Sequence, residues 1–260
     1  MAFVQFDFYA KTIGVETSMN IILPQRKGDE EPGRSYLFQG DFPVLFLLHG
    51  LSDDHTAWMR KTSIERYVNE LGLAVVMPAV HRSFYTDMKY GYSYWSFISE
   101  ELPRLVRRYF PLSEKREDNF VAGLSMGGYG AFKLALRCPH KFAAAASLSG
   151  ALDIVRIAEE EEDREEELGL IFGDKDSMQN SKNDLCYLLQ EKASQKHKLP
   201  RLYQCCGRDD FLYEDNLHFK KLADEQGIDI LFEDDPDEEH TWSYWDRKIE
   251  RVLKWLPLQR

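Results

Sequence analysis

Cysteine is scarce in this chain of 260 residues, which contains only 4. The cysteines are irregularly spaced, which argues against a disulfide framework, and no Cys-x-x-Cys pair is present to bind zinc. We therefore expect reduced thiols, a cytoplasmic location, and neither a metal nor another cofactor. The cysteines are Cys138, Cys186, Cys205 and Cys206.

Long apolar runs are also missing. The longest stretch without Asp, Glu, Lys or Arg extends from residue 119 to 132 and is interrupted by glycines, whereas a membrane-spanning helix needs about 20 apolar residues. The first residues carry Asp7 and Lys11 without a basic region ahead of an apolar stretch, so we expect no secretory signal. The sequence thus predicts no membrane association.

Positive charge is in deficit. Asp and Glu number 44 against 33 Lys and Arg, which leaves a formal net charge of −11. The resulting field repels phosphate backbones and anionic lipid headgroups, so it argues against nucleic-acid and membrane-surface partners.

The chain has the length and composition of a single globular domain spanning residues 1–260. Hydrophobic residues make up 43% of it and charged residues 30%. A chain of this size buries about 73% of its extended surface on folding, so a full core needs neither disulfides nor metal.

Short apolar runs alternate with helical periodicity along most of the chain. This alternation predicts an α/β fold with a mostly parallel sheet and helices on both faces. Residues 4–8 and 19–23 are consecutive strand-like runs with no helix between them, so we expect an antiparallel edge there. The remaining strand-like runs are Val44–Leu48 and residues 74–77, 120–122, 143–148, 202–206 and 228–232.

One segment departs from this alternation: residues 159–167 read EEEEDREEE. A run of one sign usually forms a solvated helix face or a mobile excursion. The alternative is part of a small cap over the functional site, formed by the connection at about residues 151–183.

Residues 123–127, Gly-Leu-Ser-Met-Gly, form a G-x-S-x-G motif between a strand-like run and a helical one. In that setting Ser125 sits as a nucleophile on a strained turn, and glycines two residues before and after leave room for it. The amide of Met126 then faces a developing oxyanion. The competing interpretation is a glycine-rich strand-to-helix turn with an incidental serine; the context favours the nucleophile.

An activated serine needs a base and an acid that orients the base. On a fold with this turn, the acid and then the base follow the serine in chain order, each in a loop after a strand. Of 7 histidines, His240 has that position, directly before the last helix. Asp209 and Asp210 both follow the strand-like run at residues 202–206, and their spacing does not separate them as the acid. Weaker candidates in the loop of His240 are Asp234, Asp235 and Asp237.

A second oxyanion donor is expected in the loop after Val44–Leu48, where His-Gly ends the run. The amide of Leu51 is the candidate, with Ser52 nearby. Together with the Met126 amide, it would complete a hole with two backbone donors.

Aromatic residues concentrate at residues 84–97. They predict either helix–loop packing or a stacking wall for an acyl or aromatic group, with Tyr85 and Trp95 as candidates for substrate contact. Trp242 is a third candidate because it lies two residues after His240, although its helical spacing with Trp245 favours the core.

Several motifs together resemble the esterase D group of α/β-hydrolases. They are Gly-Leu-Ser-Met-Gly-Gly-Tyr-Gly-Ala-Phe at 123–132, Leu-Leu-His-Gly-Leu at 47–51 and Glu-Glu-Leu-Pro at 100–103. Within the group, residues 207–214 and the sequence His-x-Trp-x-Tyr-Trp at 240–245 resemble the streptococcal-type tributyrin esterases. The resemblance covers most of the chain, from about residue 3 to the last helix.

The resemblance implies an α/β-hydrolase fold and short-chain acyl esterase activity on a small-molecule ester. It also implies that Asp210 is the acid and that the amides of Leu51 and Met126 form the oxyanion hole. One departure concerns the substrate. S-formylglutathione hydrolases of this group commonly carry a cysteine shortly after His-Gly-Leu, where this chain has Ser-Asp-Asp at 52–54, and this difference argues against a glutathione thioester.

The sequence leaves other functions open. The same residues could serve an S-formylglutathione hydrolase-like thioesterase, a feruloyl or acetyl-sugar esterase, or an acyltransferase. A non-catalytic binding module is the contrasting class, and the filled nucleophile, base and acid positions argue against it. The sequence leaves the oligomeric state open, with a homo-oligomer among the options.

Overall fold

In residues 1–25, 41–160 and 164–258, which a computed structural model describes, eight strands form one sheet in the order β1-β2-β4-β3-β5-β6-β7-β8. The strands from β4 to β8 pair in parallel, and β1 and β2 form an antiparallel hairpin at the edge next to β4. The strands are β1 (Ala2–Ala10), β2 (Val15–Leu23), β3 (Val44–Leu48), β4 (Ala74–Pro78), β5 (Asn119–Leu124), β6 (Ala144–Leu148), β7 (Arg201–Gly207) and β8 (Ile230–Asp235). The predicted α/β class and the antiparallel edge are both confirmed.

The strand order reverses at β3. The chain runs from β3 outward to β4, then crosses back to β5 on the other side of β3. In open α/β sheets, ligands bind at the carboxyl ends of the strands where such a reversal occurs. Here those ends are Leu48 of β3 and Leu124 of β5, and the register pairs Leu48 with Gly123. The turn that carries Ser125 therefore emerges beside His49 and Gly50.

Alternate residues of the central strands feed two separate cores, one on each face of the sheet. Phe46 and Val121 belong to the first core, whereas Leu45 and Phe120 belong to the second. Because both faces are buried, these strands are continuously apolar, as the sequence indicated.

Helices cover both cores. Helices α4, α5 and α10 contribute to the first core, and α1, α2 and α11 to the second. The helices are α1 (Ala57–Lys61), α2 (Ile64–Val68), α3 (Tyr94–Ser96), α4 (Leu102–Tyr109), α5 (Met126–Arg137), α6 (Ile154–Glu160), α7 (Glu165–Phe172), α8 (Lys175–Met178), α9 (Leu185–Lys192), α10 (Tyr213–Glu225) and α11 (Trp242–Trp255). A π-helical turn, Phe97–Glu101, links α3 to α4. Among the residues that the structure describes, no helix has the length and apolar character needed to cross a bilayer.

The connection between β6 and α9 forms the short helices α6, α7 and α8. Of the acidic run at 159–167, residues 161–163 lie outside the described residues. Glu167, near its end, accepts hydrogen bonds from Arg82 (Nη2 to Oε2, 2.8 Å) and from Arg164 (3.2 Å). This part of the run is therefore tied to the loop after β4 rather than simply solvated.

Candidate active site

Ser125 lies in a strained turn between β5 and α5. Its φ is 52° and its ψ is −120°, a sparsely populated combination for a residue with a side chain. The turn is tight enough to require glycine on both sides. A Cβ at Gly123 would lie 2.3 Å from the Gly127 carbonyl oxygen, and one at Gly127 would lie 2.4 Å from the Leu48 carbonyl oxygen. The spacing of the G-x-S-x-G motif is thus a steric consequence of this turn.

Two backbone segments meet at the side chain of Ser125. Met126 opens helix α5, whose first amides have no partner within the helix and carry the positive end of its dipole. Gly50 and Leu51 approach from the end of β3, so closely that a Cβ on Gly50 would lie 3.7 Å from the Ser125 Cβ. Leu51, Ser125 and Met126 all line the same cavity. This arrangement can stabilise negative charge that develops on an oxygen bound beside Ser125.

His240 and Asp210 form a close pair in the same cavity wall. The imidazole Nδ1 lies 2.8 Å from Oδ2 and 3.0 Å from Oδ1 of Asp210. The Asp210 side chain is fully buried and also accepts the Leu212 amide at 2.9 Å, whereas the His240 side chain is 19% exposed. Since a carboxylate accepts, Nδ1 carries the proton and Nε2 is left as an acceptor. The pair can therefore receive a proton at Nε2.

Two aromatic rings hold the imidazole. The Phe211 ring centroid lies 4.6 Å from that of His240, and the Trp245 ring meets His240 edge-on at 4.7 Å. Trp245 is itself fixed by donation from its indole N–H to Ser149 Oγ at 3.1 Å. These contacts restrict rotation of the imidazole without occupying its Nε2.

Of the two aspartates that spacing left open, the structure brings only Asp210 to His240. Asp209 is exposed, and its backbone amide donates to the carbonyl of Glu238 at 3.1 Å. A direct hydrogen bond to the imidazole and complete burial distinguish Asp210, in agreement with the motif resemblance.

The cavity has a volume of about 360 Å³. Trp242 lines it, and this ring also packs edge-on against Trp58 at 5.3 Å. Apolar side chains dominate the wall, and Arg164 adds a cation. The other lining residues are Gly50, Leu51, Ser52, Asp53, Phe84, Leu124, Ser125, Met126, Ala151, Ile157, Phe211, Leu212, His240 and Trp245.

Tyr85 and Trp95 are placed differently from expectation, since neither lines this cavity. Tyr85 is fully buried and donates its hydroxyl to the His49 carbonyl at 2.9 Å. Trp95 packs beneath the guanidinium of Arg137, whose central carbon lies 3.7 Å from the ring centroid. The aromatic side chains that line the cavity are instead Phe84, Phe211, Trp242 and Trp245.

His49 is a further residue at the site whose role the sequence did not indicate. It is fully buried, and its Nε2 accepts the Val80 amide at 3.0 Å while Nδ1 lies 2.7 Å from the Gly50 carbonyl oxygen. Because an amide only donates, Nε2 is the acceptor and Nδ1–H donates to Gly50. Burial lowers the pKa of His49 to about 4, so the ring is neutral at neutral pH.

This hydrogen bond fixes a peptide plane that matters for the site. The Gly50 carbonyl and the Leu51 amide belong to one planar unit, in which a trans geometry points them in opposite directions. The Gly50 carbonyl also accepts the Asp53 amide at 3.2 Å, and His49 together with that amide sets the direction of the Leu51 N–H. We expect His49 to act as a positioning residue for that donor.

A His49→Phe variant keeps a ring of similar size but loses both hydrogen bonds. We expect kcat for p-nitrophenyl acetate to fall about 10- to 100-fold, less than the ~10²–10³ typical when a whole oxyanion donor is lost. KM should change little, and His49→Asn, which retains an amide donor, should recover part of the loss. Tyr85→Phe is the matched control, because it removes a bond to the His49 carbonyl and leaves Gly50 untouched. An unchanged kcat in folded His49→Phe would contradict this role.

Comparison with known proteins places the chain in a family. A family model described as "Putative esterase" matches residues 10–256. An acetyl esterase of Caldicellulosiruptor saccharolyticus is 32% identical over an alignment of 268 positions that covers 98% of each chain. A structure of the Staphylococcus aureus fluorophosphonate-binding serine hydrolase FphF, with substrate bound, matches 98% of both chains at 38% identity with a TM-score of 0.87.

A second Staphylococcus aureus structure, the S-formylglutathione hydrolase FrmB without ligand, has a TM-score of 0.85 at 38% identity and 98% coverage of both chains. These relatives therefore share one fold but are named for different substrates. Since the family match and the acetyl esterase both span nearly the whole sequence, this chain belongs to that esterase family and is a carboxylic ester hydrolase with the α/β-hydrolase fold.

Proposed function

We propose that the protein is a serine carboxylesterase that hydrolyses short-chain acyl esters, of the acetyl or tributyrin type, through an acyl-enzyme. Ser125 is the nucleophile, His240 the general base and acid, and Asp210 the residue that orients His240. One observation carries the proposal: a serine in a strained turn shares a cavity with an imidazole whose Nδ1 is bound to a buried carboxylate.

In the first half-reaction, Ser125 Oγ attacks the ester carbonyl carbon while His240 Nε2 takes its proton. The carbonyl oxygen becomes an anion held by the amides of Leu51 and Met126. The imidazolium that forms is stabilised by Asp210, which stays ionised. The intermediate then collapses: the bond to the leaving oxygen breaks, His240 returns its proton to that oxygen, and the alcohol departs.

In the second half-reaction, water replaces the alcohol. His240 takes a proton from the water as it attacks the acyl carbon, and the same two amides hold the second oxyanion. Collapse breaks the bond to Ser125 Oγ, which recovers its proton from His240. The acid is released and the starting state is restored without any cofactor.

The cavity supports the preference for short acyl chains. Its volume of about 360 Å³ is near the lower end of small-molecule sites, which span roughly 300–1,000 Å³. Ile157 and Leu212 line the same cavity as Ser125 and form part of its apolar wall. The name of the acetyl esterase relative agrees with this preference.

A panel of p-nitrophenyl esters tests the proposal. We expect kcat/KM to be highest between acetyl and butyryl and to fall at least about tenfold by octanoyl, because a full cavity rejects added methylenes. A steady rise in kcat/KM up to octanoyl would contradict the short-chain assignment. Absence of both turnover and labelling by a fluorophosphonate would contradict the catalytic one.

A thioester substrate is the second candidate, because the FrmB relative is named as an S-formylglutathione hydrolase. S-formylglutathione should be measured beside the acetyl ester. A kcat/KM for the thioester about a hundredfold above that for the ester would assign the thioester as the preferred substrate. We expect the ester to be the better one, since the sequence after His49-Gly50-Leu51 departs from the cysteine-bearing pattern.

A further inference from the structure

Outside the esterase cavity, three segments bring together a thiol, an imidazole and a carboxylate. Asp153 precedes α6, Cys186 lies in the first turn of α9, and His218 lies in α10. Their ligand atoms all lie within 4.8 Å of one another, and Nδ1 of His218 lies 2.9 Å from Oδ2 of Asp153. Each of these side chains is a type that binds zinc in proteins: cysteine through sulfur, histidine through nitrogen and aspartate through oxygen.

Negative charge at the cluster exceeds the positive charge that faces it. Asp215, one turn before His218, is 5% exposed, and its Oδ1 has no hydrogen-bond partner among the described residues. Arg156 approaches this oxygen at 3.1 Å, but the same guanidinium also pairs with Glu160 through its Nε at 2.8 Å.

We infer that Asp153, Cys186 and His218 bind a borderline-soft divalent cation of the Zn²⁺ class as its three protein ligands. Oxygen and nitrogen ligands at about 2.0–2.1 Å from a tetrahedral zinc stand roughly 3.3 Å apart, so the Asp153–His218 contact needs to open by only a few tenths of an ångström. The His218 side chain is 54% exposed and is free to make this adjustment.

Binding is coupled to proton release. The Cys186 thiol loses its proton to become the thiolate ligand, and His218 binds through Nδ1 with its remaining proton on Nε2. The Asp153 oxygen that faces Nδ1 then shares the metal with it instead of accepting a hydrogen bond. The cation would bridge α6, α9 and α10, of which α6 carries the cavity residue Ile157. The inference does not depend on which ester the cavity accepts.

Cobalt provides a direct test on the full chain after dialysis against a chelator. Titration with Co²⁺ should give one equivalent of binding, with tetrahedral d–d bands and a thiolate-to-cobalt charge-transfer band. Cys186→Ser should abolish the charge-transfer band, and His218→Asn and Asp153→Asn should weaken Zn²⁺ binding at least about tenfold in competition with a chromophoric chelator. Added Zn²⁺ should raise the unfolding temperature of the native chain but not that of Cys186→Ser.

Cys138→Ser is the matched control, because Cys138 is a buried thiol at the end of α5, away from these ligands. It should keep the band and the affinity. The inference is overturned if no binding occurs below millimolar metal, if folded Cys186→Ser retains the charge-transfer band, or if Cys138→Ser removes it. Because the readouts are spectra and unfolding temperatures, failure of this inference is distinguishable from failure of the esterase proposal.

Discussion

Ser125→Ala should lower kcat for p-nitrophenyl acetate by about 10⁵- to 10⁶-fold and abolish covalent labelling by a fluorophosphonate. The loss of kcat is this large because the nucleophile itself is removed. In a serine protease, removing the nucleophile alone costs about as much kcat as removing all three catalytic residues. The small remaining rate would come from binding and the oxyanion donors. Alanine retains the Cβ of serine, so the strained turn and the unfolding temperature should be little changed.

Ser52→Ala is the matched control for this change. The Ser52 residue lines the same cavity but lies outside the G-x-S-x-G turn. Its variant should keep labelling and most of the turnover. The assignment of the nucleophile would be wrong if Ser125→Ala were still labelled at one equivalent per chain. It would also be wrong if Ser52→Ala, and not Ser125→Ala, lost the label.

Asp210→Asn should lower kcat by about 10⁴-fold, the effect typical of replacing the orienting acid by its amide. An amide can turn its NH₂ group toward Nδ1 of His240, which then becomes the acceptor and leaves the proton on Nε2. An imidazole in that tautomer cannot take the proton of Ser125. Because Asn can still accept the Leu212 amide through its oxygen, the local turn should persist.

Asp209→Asn, measured beside it, separates the two acids that share the loop. The Asp209 side chain is exposed and lies outside the cavity lining, so its variant should retain kcat within about threefold. Near-ultraviolet circular dichroism and the unfolding temperature should match for the two variants. A larger loss of kcat at Asp209 than at Asp210 would contradict the geometry of the His240–Asp210 pair.

The fold could be predicted from sequence because strands buried on both faces must be apolar throughout, as in Val44–Leu48. The position of Ser125 could also be predicted, because the turn that holds it excludes side chains at two fixed positions. The resemblance to known esterases chose Asp210 where spacing alone did not. For the strands and for Ser125, a strict steric or topological rule leaves a visible pattern in the order of residues.

The cavity wall could not be predicted in the same way. Phe84 and Tyr85 are adjacent and both adopt positive φ, 48° and 50°, so one ring lines the cavity while the next is buried behind it. Amino-acid composition does not reveal in which direction each of these two rings points. Ile157 and Arg164 lie in the excursion between β6 and α9, where no periodic pattern points to a ligand.

His49 escaped sequence reasoning for a different reason. A histidine at the end of a strand has many uses, and only the two bonds to Val80 and Gly50 reveal its tautomer and its effect on Leu51. The sequence does not reveal the cluster of Asp153, Cys186 and His218 either, because each of these residues comes from a separate segment rather than from a compact motif.

The pairing of Leu48 with Gly123 across β3 and β5 has an evolutionary consequence. The main-chain ladder between these strands brings the ends of β3 and β5 together, and with them the segments that carry Leu51 and Ser125. The excursions that form the walls can therefore lengthen, shorten or change sequence without disturbing the reacting atoms. One fold can therefore come to accept different substrates through changes in its loops. This is consistent with the different substrates for which relatives of the same fold are named.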